Sequence, residues 1–172
     1  MTFVIQQVHT SDQISLCHQL QIAIFHDELG LFGMQIPDKY DRYSAYMQME
    51  IIGFKAVVGT YRVVLPNSSI GLPILETGFA LNPFDPNRVC EMSRLVVLKE
   101  KRAKIPFSKI IASACRVAKK HNNSTMVAAI LPHNVPLFQR YGFSPAGPPL
   151  NDSSVESTST EESIIIPMKI HI

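Results

Sequence analysis

Cysteine is scarce: Cys17, Cys90 and Cys115 are an odd number, and no two stand in a Cys-x-x-Cys pair. That set excludes a disulfide framework and predicts free thiols in a reducing compartment. The six histidines are scattered; His18 and His26 lie eight apart, and no HxxxH or HExxH pattern exists. The expectation is no metal site. No apolar run approaches the roughly 20 residues that span a bilayer. The opening residues, MTFVIQQVHTSDQ, hold neither a basic region nor a long apolar stretch, so no secretory signal is expected. These absences predict a soluble cytoplasmic protein without integral membrane association. Charged residues are few, 17% against 46% hydrophobic, a balance that excludes a disordered chain.

What is present fits one domain over residues 1–172, long enough to bury a sizeable core. The net charge of +2 conceals an asymmetry. Between residues 99 and 120, Lys99, Lys101, Arg102, Lys104, Lys109, Arg116, Lys119 and Lys120 stand against Glu100 alone, a local balance of +7 that leaves −5 for the rest. A basic surface on an acidic body suits an anionic partner. Aromatics suited to base stacking are few near it, so nucleic acid is not the expected partner.

Periodicity supplies the elements. Phe3–Val8 reads as a strand, and Thr10 with Gln13 as a capping box that opens a helix ending near Gly30. Strands follow near Ala45–Ile51 and Val57–Leu65, turned at Gly53. Residues 66–90 carry Pro66, Pro73, Pro83 and Pro86 with Gly71 and Gly78, which predicts a long irregular excursion of the kind that serves function. "SRLVVL" (93–98) is the next strand. Beyond Pro106, Phe107, Ile110, Ile111, Ala114, Val117 and Ala118 form one helical stripe. A buried strand at 125–131, a short helix in "NVPLFQRYGF", an exposed hairpin tip at 151–163 and a closing strand complete the chain. The order predicts one mixed α/β sheet with helices on its faces.

Chemistry concentrates in "CEMSRLVVLKEKRAK" (90–104), where Glu91 and Arg94 precede the apolar run Leu95–Leu98. Residues three apart on a regular strand face opposite sides, so both reach one cleft only across a bulge. Bulges free backbone N–H groups and favour the neighbourhood of active sites. Such groups polarise a carbonyl oxygen, and a nearby carboxylate accepts the proton of an attacking amine. Arg62, amid apolar residues in the third strand, needs a carboxylate if it faces inward; Asp41 or Glu91 is the expected donor of it.

"PDKYDRYSAYM", "VVGTYRVVLP", "GLPILETGF" and "CEMSRLVV", in that order and spacing, resemble the bacterial autoinducer synthases and the related N-acyl amino acid synthases of the GNAT acyltransferase superfamily. "NVPLFQRYGF" is similar to a further superfamily motif. The resemblance, over roughly residues 20–145, implies a GNAT fold: a mixed, mostly antiparallel sheet with a bulged or splayed strand, flanked by helices on both faces. It implies Glu91 as general base and Arg94 as the group that holds the acceptor or orients Glu91. Asp38, Asp41, Arg62, Phe79, Ser93, Leu95 and Val96 would bind substrate, with amides near Leu95 and Val96 on the thioester carbonyl.

Departures from the family pattern direct the choice of substrate. Autoinducer synthases carry an arginine before, and a tryptophan after, the phenylalanine of their first helix; here Phe25 is flanked by Gln21 and Leu31, and the chain has no tryptophan. Weight therefore moves from S-adenosylmethionine to an amino acid as acceptor. The Gly-rich turn that members use to bind the CoA pyrophosphate is replaced by "KEKRAKIPFSK". That segment suits an acyl carrier protein, with Lys99, Lys101, Arg102, Lys104 and Lys109 as the contacts of carrier or phosphopantetheine. Phe138 stands where many GNAT enzymes place an acidic tyrosine. The expected activity is transfer of a medium or long acyl chain to an amine, with an acyl thioester as co-substrate and no tightly bound cofactor. Lactone synthesis, CoA-dependent acetylation and a non-catalytic acyl-binding module are the alternatives.

Overall fold

The computed structural model describes residues 2–54, 56–152 and 163–172. The expected hairpin tip lies for the most part outside them. Strand β1 (Phe3–Val8) leads to helix α1 (Ser11–Ile22), which Thr10 caps as the sequence implies: its hydroxyl accepts the Gln13 N–H at 3.3 Å, and the Gln13 side chain accepts the Thr10 N–H at 3.4 Å. The helix widens into a π-helical segment at Ala23–Glu28 and stops before Gly30, whose φ of +70° suits glycine. Then come β2 (Ser44–Ile51), β3 (Ala56–Val64), β4 (Val89–Val97), α2 (Phe107–Lys120), β5 (Thr125–Ile130), α3 (Val135–Arg140), β6 (Ser144–Pro145), β7 (Leu150–Asn151) and β8 (Ile164–His171).

Among the described residues the strands form one sheet in the order β1-β2-β3-β4-β5-β8-β6, with β7 also on β8. Every pairing is antiparallel except β4 with β5. The expected mixed, mostly antiparallel sheet is therefore observed, with β6 and β7 added by the turn-rich segment after α3. Strand alternation divides the core. Met47, Met49, Tyr61, Val63, Cys90 and Met92 face α2, whose stripe of Ile110, Ile111, Ala114, Val117 and Ala118 is buried against them. Val8 and Tyr46 face α1 at Cys17. Val64 and Val89, farther along that second face, are covered by Leu72, Ile74 and Phe79 from the 66–88 excursion.

Strand β4 starts at Val89, four residues before the sequence-based strand. Val89 and Cys90 are buried and pair with Thr125 and Met126 of β5. Glu91 consequently sits inside the strand rather than ahead of it. The bulge that a cleft shared by Glu91 and Arg94 requires is present. From Thr60↔Val96 to Arg62↔Ser93, β3 advances two residues and β4 three, and Arg94 takes a left-handed φ of +59°. That conformation costs a non-glycine residue on the order of 1 kcal/mol. Gly59 lets the three strands close nearby: a Cβ there would meet Met49 Sδ and the Val96 carbonyl at 2.9 Å.

Candidate active site

β4 and β5 pair only from Val89↔Thr125 to Glu91↔Val127. Past that point residues of both strands, Met92 and Leu95 on one and Ala129 and Ile130 on the other, line a cavity of about 560 Å³. Phe25 and Leu31 close it from the α1 side, Phe138 from α3, and Pro73 and Ile74 from the 3-10 turn Pro73–Thr77. The lining is largely apolar, with Glu91, Asp38, Arg62 and Arg94 placed in the wall.

Arg62 is 1% exposed and fully engaged. It donates to Asp38 at 2.6 and 2.8 Å, to Asp41 at 2.6 Å and to the Ser93 hydroxyl at 3.0 Å. The carboxylates it needed are thus Asp38 and Asp41 of the loop before β2, not Glu91. Tyr46 donates to Asp41 at 2.6 Å, and His18 Nε2 approaches both groups at 3.1 Å, so α1 joins the network. Burial alone would raise the Asp38 pKa; hydrogen bonds and charge from Arg62, with Arg94 and the Tyr40 N–H, outweigh it and hold the carboxyl below its usual range.

Arg94 does not turn toward Glu91. The bulge carries its guanidinium to the Gln35 carbonyl and to Asp38, both at 2.7 Å. Burial and the neighbouring Arg62 charge lower its proton affinity, opposed by Asp38. Glu91 is 2% exposed, and its Oε2 accepts the Ile74 N–H at 2.8 Å. Burial pushes its pKa up to about 8, against the stabilising Ile74 N–H and Arg62 charge. A carboxyl poised near neutrality in an apolar cavity can exchange a proton with an amine.

The expected site residues divide. Glu91, Arg94, Asp38, Arg62, Ser93 and Leu95 line one cavity. Asp41 stands behind it as the support of Arg62. Phe79, just after the left-handed Gly78, is not in the cavity lining; it is buried in one cluster with Tyr40, Ile74 and Val127. Val96 is buried outside the lining, its carbonyl toward Gly59. Lys99, Lys101 and Lys104 occupy the turn after β4, whereas Arg102 is spent on Glu28 at 2.6 Å and the Val97 carbonyl at 2.9 Å. Lys109 borders a separate depression with Phe3, Ile5 and Arg116. Sequence reasoning passed over Tyr40 and Glu76, which line the cavity and are bonded to each other at 2.8 Å. A carboxylate inside the proline-rich excursion was the available signal for Glu76, and the place of Tyr40 between Asp38 and Asp41 that for Tyr40. Among the described residues no helix is long and apolar enough to cross a membrane.

A family model described as "N-acyl amino acid synthase FeeM" matches residues 33–160, about three quarters of the chain. No curated protein sequence matches. Solved structures do. FeeM, an N-acyl amino acid synthase from uncultured soil microbes, superposes with a TM-score of 0.78 and 11% identity, covering 99% of this chain and 90% of that one. Escherichia coli ElaA gives 0.71 with 15% identity over 98% and 99%. BjaI, a CoA-dependent acyl-homoserine lactone synthase, gives 0.70 with 18% identity over 99% and 84%.

Proposed function

The chain belongs to the family of the N-acyl amino acid synthase FeeM and is an acyltransferase of the GNAT fold; from that premise we propose that it moves a medium or long acyl chain from an acyl carrier protein thioester to the α-amino group of an amino acid. The observation that carries the reading is Glu91, a buried carboxyl with a pKa near 8 at the point where β4 and β5 part. A carboxyl that titrates close to the working pH is suited to take a proton as a general base.

In this reading the acyl chain lies along the apolar walls at Met92, Ile130 and Phe138. Amides freed by the bulge near Leu95, which lines the cavity, polarise the thioester carbonyl. Glu91 takes a proton from the acceptor amine as its nitrogen attacks the carbonyl carbon. Arg94, fixed to Asp38, presents the rest of its guanidinium to the acceptor carboxylate. The tetrahedral intermediate collapses with cleavage of the C–S bond, leaving an amide. The departing thiolate, whose pKa is about 8.5, needs no dedicated acid and takes up the proton that Glu91 holds. Phe138 in the cavity wall, in place of a hydroxyl-bearing ring, suits that economy. Lys99, Lys101 and Lys104 supply positive charge for an acidic carrier.

The test is to incubate the purified protein with acyl carrier protein or CoA thioesters and mixed amino acids, and to read products by mass spectrometry. N-acyl amino acids formed from the carrier-bound donor, and lost in Glu91→Gln, are expected. Release of methylthioadenosine from S-adenosylmethionine, or turnover of acetyl-CoA alone, would overturn the reading.

A further inference from the structure

The turn Pro73–Thr77 is held at two points. At one, the Ile74 N–H donates to Glu91 Oε2 at 2.8 Å. At the other, two residues on, the Glu76 carboxylate accepts the Tyr40 hydroxyl at 2.8 Å and pairs with Lys39 Nζ at 2.6 Å. Tyr40 is itself fixed in the core, 3% exposed, with its N–H on Asp38 at 2.9 Å. The same short turn thus touches Glu91 and the aspartate loop that anchors Arg62 and Arg94. Glycines with φ of +69° and +85°, Gly71 and Gly78, bound it, and such residues are natural pivots. Pro73, Ile74, Glu76 and Thr77 all line the cavity.

We propose that Glu76 is a positioning residue: through Tyr40 and Lys39 it latches the 73–77 turn onto the 38–41 loop, and so keeps the Ile74 amide on Glu91 and shields that carboxyl from water. The Lys39 pair is about half exposed on both sides and contributes little by itself. The charge-assisted bond from the buried Tyr40 hydroxyl is the stronger member. The latch rests on the reading of Glu91 as base only for its catalytic meaning; its effect on the carboxyl is independent of turnover.

Among the described residues several groups face Glu91. Besides the Ile74 amide they are Arg62 from β3, Asp38 from the loop before β2 and Asp152 from beyond β7, with Tyr40 also within electrostatic reach. Release of the turn admits water, which lowers the Glu91 pKa, and withdraws the Ile74 N–H, which raises it. Burial is the larger influence on this carboxyl, so the net movement is downward.

The experiment is NMR of the full chain: the Glu91 carboxyl carbon is titrated, and exchange of the Ile74 amide is followed, in the natural protein, Glu76→Ala, Glu76→Gln and Tyr40→Phe. Glu76→Ala is expected to lower the Glu91 midpoint by about one pH unit, the usual size of an environmental perturbation, and to speed Ile74 exchange about tenfold or more. Glu76→Gln, which still accepts from Tyr40, should restore most of both. An unchanged midpoint and unchanged exchange in Glu76→Ala and Tyr40→Phe would overturn the latch, whatever the activity. A shifted midpoint in a protein that transfers no acyl group would leave the latch standing and reject the catalytic reading instead.

Discussion

Arg62 and Asp38 meet through two hydrogen bonds, 2.6 and 2.8 Å, with the arginine 1% exposed. The pair joins the middle of β3 to the loop before β2 and gives Arg94 its carboxylate partner. A guanidinium taken out of water is tolerated only while its charge is balanced. Asp38→Asn keeps the shape and removes the charge, leaving Arg62 with Asp41 and Arg94 with the Gln35 carbonyl. The variant should lose about 3 kcal/mol of stability, toward the lower end for a broken buried pair because Asp41 remains. Urea unfolding checks this; a loss within experimental error would mean that Asp41 alone suffices.

Glu91 ties stability to pH in a definite direction. Its folded pKa is about 8 against an ordinary value of 4.5, so the folded state binds the proton more tightly than the unfolded state does. The contribution is complete below about pH 4.5 and is lost as pH rises through 8, with a slope of at most about 1.4 kcal/mol per pH unit. Glu91→Gln, neutral at every pH, should match the natural protein at about pH 4 and exceed it increasingly above that, most of all beyond pH 8. Denaturant titrations at several pH values measure both. If Glu91 is the base, kcat/KM of the natural enzyme climbs with pH up to about 8, and the variant is inactive throughout.

The bulge was legible only as a condition: Glu91 and Arg94 could both reach one cleft across a bulge or could stand on opposite faces at a strand end. The structure has the bulge, with its left-handed residue at Arg94. The capping box at Thr10 and the α2 stripe were legible outright: each is written in neighbours within a turn or two. Partner choice was not. Arg62 reaches Asp38 across 24 positions, Ile74 reaches Glu91 across 17, and Tyr40 reaches Glu76 across 36. Of the two carboxylates the sequence offered Arg62, Asp41 does pair with it and Glu91 does not. Nothing local added Asp38 or ruled out Glu91; only the path of the chain over the sheet does. Phe79 misled for the same reason. The resemblance implied a pocket-lining role for it, yet the ring belongs to the buried cluster of Tyr40, Ile74 and Val127 under the 66–88 excursion.

Gln21 is wholly buried, and among the described residues neither its amide nitrogen nor its amide oxygen has a hydrogen-bond partner. It stands in α1 where autoinducer synthases carry an arginine. An unmatched buried amide costs roughly 1–3 kcal/mol. Gln21→Met keeps the length and removes both polar atoms, and it should stabilise the fold by about 1–2 kcal/mol. A higher urea midpoint with an unchanged slope is the expected signature; destabilisation would show that the amide is satisfied by bound water.

The turn after β4 separates the two donor classes by electrostatics. Lys99 and Lys104 are exposed and Lys101 partly so, while Arg102 is tied to Glu28 and to the Val97 carbonyl. A charge-reversed protein, Lys99→Glu with Lys101→Glu and Lys104→Glu, therefore removes cations that have no ion pair among the described residues and leaves the Arg102 tether in place. Long-range attraction to an acidic carrier acts mainly on the encounter rate. The triple variant should lose about tenfold in kcat/KM with acyl carrier protein at low salt, by the usual scale of steering. The deficit should shrink as added salt shortens the Debye length from about 30 Å at 0.01 M to 8 Å at 0.15 M. The same chain on CoA brings far less surface to steer, so its rate should fall less. Equal losses for both donors, unaffected by salt, would place these lysines on the thioester arm rather than on the carrier, and the docking assignment would fail.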